Sequence, residues 1–140
     1  MKKIIIYADG GSRGNPGLSA IGAVFCNEKG DIIKKYSQVL EEKATNNEAE
    51  YRAVIFALSK FKALFGKKLA FQSAVEVRTD SELLVRQMAG QYKVLEPKIQ
   101  SLFLALWNIK IDFKKIRFKL VPRSQNKTAD KLVNEALDSQ

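Results

Sequence analysis

Four acidic residues, Asp9, Glu50, Asp80 and Asp130, lie where secondary-structure elements are predicted to begin or end. Asp9 ends one apolar strand and Asp80 follows another, whereas Glu50 and Asp130 lie in the first turns of helices. If the two strands are parallel, their carboxyl ends meet at the sheet edge where α/β proteins place ligands. Clustered carboxylates repel one another and so favour a bound cation. Oxygen ligands without His or Cys suit Mg²⁺, or Mn²⁺ as a substitute, and two such ions promote displacement at phosphorus.

Each acid also has an ordinary alternative role. Asp9 could initiate a turn before Gly10, and Asp80 could cap the helix that follows it. Glu50 and Asp130 could simply interact favourably with helix dipoles. The four positions together, rather than any one of them, indicate a site.

The helix that carries Glu50 provides the clearest directional evidence. At about 100° per residue, Glu50 lies roughly 40° from the centre of the apolar face and Glu48 about 120° from it. We therefore expect Glu50 to point inward and Glu48 to point towards solvent. The apolar face comprises Val54, Ala57, Leu58, Phe61 and Phe65.

The amino-acid composition excludes some catalytic mechanisms and favours one class of partner. The sequence has no histidine, which excludes His-ligated zinc and a nucleophile that works with a His base. The net charge of +9 favours a polyanionic partner. The single cysteine, Cys26, lies in an apolar segment and is expected to be a buried thiol. No segment is long and apolar enough for a membrane span, and no signal-peptide pattern is present, so we expect a cytoplasmic protein without a membrane partner. We also expect it to be a monomer.

The predicted elements alternate in a way that favours a mixed sheet covered by helices. A Gly-rich turn is predicted at 10–17, and the hairpin turn at 27–30 joins the second and third strands. Strands are predicted at 3–9, 18–26, 31–40, 74–79 and 116–121, and helices at 45–65, 81–88, from 97 onwards and at 126–137.

Four segments resemble the type 1 ribonuclease H family in order and spacing: YADGGS (7–12) with GNPG (14–17), TNNEAE (45–50), TDS (79–81) and NKTAD (126–130). The resemblance spans nearly the whole chain. It implies a single catalytic domain over residues 1–140 with the α/β ribonuclease H-like fold. In that fold an antiparallel meander of strands 1–3 and parallel strands 4 and 5 form a five-stranded mixed sheet flanked by helices.

The resemblance also implies an activity. The family hydrolyses the RNA strand of RNA–DNA hybrids as an endonuclease, uses two divalent metal ions such as Mg²⁺, and leaves 5′-phosphate and 3′-hydroxyl ends. Its acidic metal ligands match Asp9, Glu50, Asp80 and Asp130, the four acids selected above. Its substrate contacts match four polar residues whose alternative role is capping or turn formation: Asn15, Thr45, Asn46 and Asn47.

Two departures from the family pattern define a subgroup. Val121-Pro122-Arg123 stands in the loop where many members carry a histidine, and segment 90–95 is too short for the long basic protrusion of other members. Arg123 is expected to act on substrate electrostatically, because a guanidinium cannot serve as a base. Two alternatives remain: a broader nuclease that also cuts double-stranded RNA, and a catalytically silent module that binds hybrids.

Overall fold

One mixed sheet forms the centre of the molecule. The computed structural model describes residues 2–140. The strands are β1 (Lys3–Gly14), β2 (Gly17–Asn27), β3 (Ile32–Val39), β4 (Ala74–Thr79) and β5 (Lys115–Leu120), in the spatial order β3-β2-β1-β4-β5. Strands β1 to β3 are an antiparallel meander, and β4 and β5 extend the sheet in parallel. The predicted five-stranded mixed sheet is therefore confirmed.

Helices pack on both faces of this sheet. They are α1 (Asn46–Phe65), α2 (Lys67–Gln72), α3 (Glu82–Met88), α4 (Pro97–Lys110) and α5 (Lys127–Asp138), with a 3₁₀ turn at Arg123–Gln125. Side chains alternate across β1, so Ile4 and Ile6 join the larger core under α1, whereas Ile5 joins the core under α5. Cys26 is buried under α5, as predicted. None of the described helices is long and apolar enough to cross a membrane.

The predicted turn at 10–17 is confined to Asn15 and Pro16, and its bounds are wrong because β1 continues through Gly14 and pairs with β2 up to Gly17. The glycine at position 10 of this strand instead permits a close helix contact. A Cβ on Gly10 would lie 2.1 Å from the carbonyl oxygen of Ala49 in α1. On the neighbouring strand, a Cβ on Gly22 would lie 2.5 Å from the carbonyl oxygen of Ala129 in α5. Glycine at these positions therefore lets two helices touch the sheet backbone on opposite faces, beside Asp9, which pairs with Gly22.

Candidate active site

Three of the four predicted acids converge at one edge of the sheet. Asp9 lies in β1, Asp80 directly follows β4, and Glu50 lies in the second turn of α1. Each offers a carboxylate oxygen, and these three oxygens all lie within 4.8 Å of one another. Asp9 is therefore inside a strand, not at a strand end as predicted. The N-cap of α3 is Ser81, so Asp80 does not serve as the cap.

The electrostatics of this edge are unfavourable for carboxylates. Asp9 is 6% exposed, and burial raises its pKa to about 8, with further contributions from the charges of Asp80, Asp130 and Glu50 and a hydrogen bond with Asp130. Asp130, in the first turn of α5, is thus a neighbour of Asp9 although it is not one of the three converging acids. Burial also raises the pKa of Glu50, against a hydrogen bond with Ser81 and the charge of Arg123.

Local hydrogen bonds hold α1 at this edge. Thr45 is the N-cap: its hydroxyl accepts from the backbone N–H of Glu48, and the Glu48 carboxylate accepts from the backbone N–H of Thr45. The Asn46 side chain accepts from the backbone N–H of Ser12 at 2.9 Å, and the Asn15 side chain accepts from the backbone N–H of Asn46 at 2.9 Å. These contacts join the start of α1 to the end of β1 and so place Glu50 next to Asp9.

The four predicted substrate residues of this region differ in their structural roles. Asn15, Thr45 and Asn46 make the hydrogen bonds just described, whereas the side chain of Asn47 is exposed. The expectation that Glu48 points to solvent is wrong, since Glu48 is 7% exposed. The capping box turns its carboxylate back towards the helix start, an effect that the helical periodicity does not include.

The residues that follow β5 border the same edge. Arg123 is exposed, and its Nε lies 3.4 Å from Oδ2 of Asp80. A cavity of about 590 Å³ is lined by Glu50, Asp80, Glu82, Leu120, Val121, Pro122 and Arg123. Glu82 was missed by the sequence reasoning, although its place two residues after Asp80 could have indicated it.

A second missed residue is Asn126, which is almost completely buried. Its Nδ2 donates to the carbonyl oxygen of Ala8 at 3.0 Å, and its backbone carbonyl accepts from the N–H of Asp130. Asn126 therefore links the residue before Asp9 to the helix turn that carries Asp130. A polar residue at a predicted helix start is the only signal that the sequence offers for this role.

The donor set fits divalent metal ions. Three carboxylate oxygens approach one another and a fourth carboxylate adjoins them, and burial together with their mutual repulsion raises the pKa of Asp9 and Glu50. Hard oxygen donors of this kind suit Mg²⁺ and Mn²⁺. A bound cation would remove the repulsion that the arrangement creates.

Known proteins resemble this chain over nearly its whole length. The family model described as "Reverse transcriptase-like" matches residues 7–136. The chain is 38% identical over 137 residues to the bifunctional protein Rv2228c of Mycobacterium tuberculosis, covering 98% of this chain and 36% of that protein. It is 37% identical over 136 residues to ribonuclease HI of Halobacterium salinarum, covering 97% of this chain and 65% of that protein. The chain thus spans about a third of the first relative and about two thirds of the second.

A solved structure extends the likeness to three dimensions. LC11-RNase H1, crystallised in complex with an RNA/DNA hybrid, is 47% identical, with a TM-score of 0.91 over 97% of each chain. The sheet order, the converging acids, the match over residues 7–136 and this structural agreement lead to one assignment. The chain belongs to the ribonuclease H-like family.

Proposed function

We propose that this protein is an endonuclease that hydrolyses the RNA strand of RNA–DNA hybrids and leaves 5′-phosphate and 3′-hydroxyl ends. The observation that carries the proposal is the convergence of Asp9, Glu50 and Asp80 at a solvent-open edge of a protein with a net charge of +9. Such a charge attracts the nucleic-acid backbone, whereas the acids repel it unless cations intervene. The hybrid complex of LC11-RNase H1 supports the choice of substrate.

We assign the binding of two Mg²⁺ ions, or of Mn²⁺ as a substitute, to Asp9, Glu50, Asp80 and Asp130. When bound, such ions supply electrostatic stabilisation of the charge that develops on the phosphoryl oxygens. The carboxylates of the chain provide the oxygen ligands. The burial of Asp9 limits the positions that its own carboxylate can adopt.

Arg123 is a basic residue that adjoins the acids. Its exposed guanidinium beside Asp80 can bind a phosphate oxygen of the substrate, and it cannot accept a proton. We propose that it takes only the electrostatic part of the role of the histidine found in other members, so that this chain belongs to the Val-Pro-Arg subgroup without the long basic protrusion. Replacing Arg123 with Lys should weaken substrate binding, since an ammonium group lacks the bidentate geometry.

The start of α1 is proposed to contact the hybrid. Asn47 is exposed and free to hydrogen-bond to a sugar or a base edge, and the 2′-hydroxyl is what distinguishes RNA from DNA. Asn15, Thr45 and Asn46 would act partly through the hydrogen bonds that hold this surface in place. Their replacement should therefore lower both stability and substrate affinity.

The test is cleavage of a labelled RNA–DNA hybrid, beside double-stranded and single-stranded RNA, with Mg²⁺, Mn²⁺ or EDTA. Wild-type protein should cut only the RNA strand of the hybrid and only with metal, and Asp80→Asn should abolish cutting. Glu28→Gln, which removes an exposed carboxylate from the β2–β3 hairpin, serves as the control and should remain active. Cutting of double-stranded RNA would show a broader nuclease, and tight binding without cutting would show a silent module. We also expect a cytoplasmic monomer, which sedimentation and localisation experiments can test.

A further inference from the structure

One half of the sheet has a face that no helix covers. Helix α5 packs on β1, β2 and β3. Helix α3 lies on the opposite face, because its Leu84 and Met88 share the larger core with Ile116 and Phe118 of β5. Within residues 2–140, no helix therefore covers the α5-side surface of β4 and β5, whose own arginines bury Glu76 at its centre. We call this surface the open face.

The open face is strongly basic. Its outward-pointing residues follow from strand alternation and pair across the sheet, with Glu76 opposite Arg117 and Arg78 opposite Lys119. Five cations and a single carboxylate, Glu76, lie on this face. The cations are Lys3, Arg78, Lys115, Arg117 and Lys119.

The single carboxylate is already paired with arginine. The two oxygens of Glu76 lie 2.7 Å from Nε of Arg78 and 3.5 Å from Nε of Arg117. In contrast, within the part of the chain that the structure describes, Lys115 and Lys119 form no ion pair within 4.0 Å. The excess positive charge of the open face is therefore available to an external anion.

The centre of the open face also offers planar groups. Arg78 donates to Glu76 and, at 2.7 Å, to the Tyr7 hydroxyl, and its guanidinium lies 5.4 Å from the centre of the Tyr7 ring. Two partners thus fix the orientation of Arg78. A fixed guanidinium or an aromatic ring can stack with an unpaired base, and the loss of side-chain entropy is small for a group that is already held.

The position of the face connects it with the candidate active site. Strand β4 is followed directly by Asp80, and β5 is followed by the segment that ends in Arg123. At about 3.3 Å per residue, the six residues of each strand span about 20 Å, which is the length of several successive phosphates of one strand. At the far end, Lys3, Lys114, Lys115 and Arg117 line a shallow cavity of about 290 Å³.

We propose that the open face binds single-stranded nucleic acid that extends from a hybrid held at the acidic edge. Proteins that bind single-stranded nucleic acid typically combine cations placed along the sugar–phosphate backbone with planar side chains that stack on the bases. The inference rests on the proposed function only in that a bound hybrid would supply the single strand. Binding of a free strand to the open face can be measured without any cleavage.

The test is binding of a fluorescein-labelled oligothymidine of about 12 nucleotides in EDTA, followed by anisotropy, a length in the usual range for single-strand sites. The variant K115E/K119E reverses two exposed charges on the open face. The control K29E/K35E reverses two exposed charges at the opposite edge of the sheet, one on the β2–β3 hairpin and one on the edge strand β3. Both variants change the net charge equally, and melting curves verify that both are folded.

The open-face variant should bind the oligonucleotide at least about tenfold more weakly than the control variant, and its salt dependence should fall by about two counterions. A single-stranded tail on a hybrid should strengthen binding to wild-type protein but not to K115E/K119E. Equal weakening in the two variants would overturn the inference, because net charge alone would then explain binding. Failure of wild-type protein to cut any hybrid would contradict the proposed function and would leave the oligothymidine result to decide this inference separately.

Discussion

Replacing Asp9 with Asn should stabilise the metal-free protein at neutral pH. Burial and three neighbouring carboxylates raise the pKa of Asp9 from 3.8 to about 8. Between these two values the folded state holds a proton on Asp9 that the unfolded state has released. The stability associated with Asp9 is therefore complete below about pH 4 and is lost as the pH rises through about 8. Asparagine is nearly isosteric and does not titrate, so the variant should lack this loss.

The magnitude follows from the distance between the assay pH and the ordinary pKa. At pH 7 the difference is about three units, which corresponds to about 4 kcal/mol at about 1.4 kcal/mol per unit. This value is an upper limit, because water and side-chain movement relax repulsion among carboxylates at a solvent-open edge. We expect Asp9→Asn to gain about 2 kcal/mol or more relative to wild type at pH 7.

The assay is urea unfolding in EDTA at pH 5, 7 and 8.5, on wild type, Asp9→Asn and the control Asp31→Asn, which removes an exposed carboxylate. The advantage of Asp9→Asn should grow with pH, and the control should follow wild type. Addition of Mg²⁺ should stabilise wild type by mass action and Asp9→Asn much less. A constant difference at all three pH values, or a less stable Asp9→Asn at pH 8.5, would refute the electrostatic reasoning.

Three further predictions concern positions around the acids and on the open face. Gly10→Ala should lower the free energy of unfolding by about 3 kcal/mol or more and displace α1, because the new Cβ would meet helix backbone. The control Gly11→Ala, whose Cβ would meet only a side-chain methyl at 3.2 Å, should be much less destabilised. Equal melting temperatures of the two variants would contradict this reasoning. Thr45→Ala should cost about 1 kcal/mol in urea unfolding and Thr45→Ser much less, and no loss would exclude a stabilising cap. Burial tends to raise the pKa of Glu76, but its arginine partners lower it overall, so its stability contribution is present at neutral pH and lost as the pH falls below about 4.5. Glu76→Gln should thus be less stable than wild type at pH 7 and closer to it at pH 3, and an undiminished difference at pH 3 would argue against ionic stabilisation.

Much of the fold could be predicted because the apolar periodicity of each segment and the capping or turn residues at its ends indicate the same element. Strand β4 has the predicted bounds, 74–79, since an apolar strand pattern ends at the Asp80-Ser81 pair that starts the next helix. Helix α1 begins one residue after its Thr45 cap and ends before Gly66, as its sequence indicates. The short helix α2 was missed because six residues are too few for helical periodicity to be recognised.

The errors at the candidate site have a common origin in tertiary contacts. Glycine usually indicates a turn, but Gly10 and Gly11 continue strand β1, and Gly10 lets the backbone of α1 approach the strand closely. Periodicity places Glu48 towards solvent, but the capping box and the packing around the helix start bury it. Asn126 carries no local pattern that reveals its hydrogen bond to Ala8, more than a hundred residues away. The four acids could be recognised from the sequence, because carboxylates near predicted strand ends and helix starts already indicate a metal site before any tertiary contact is known.

The two glycines that let α1 and α5 touch the sheet also limit how this protein can evolve. Most packing contacts consist of side chains, which neighbouring substitutions can compensate in small steps. At Gly10 and Gly22 the contact is between backbones, so every larger residue meets an obstacle that repacking of side chains cannot remove. Substitution of either glycine would therefore displace the helix turns that carry Glu50 and Asp130. Directed evolution of a new specificity should find its freedom in the loops around the acids and very little at these two residues.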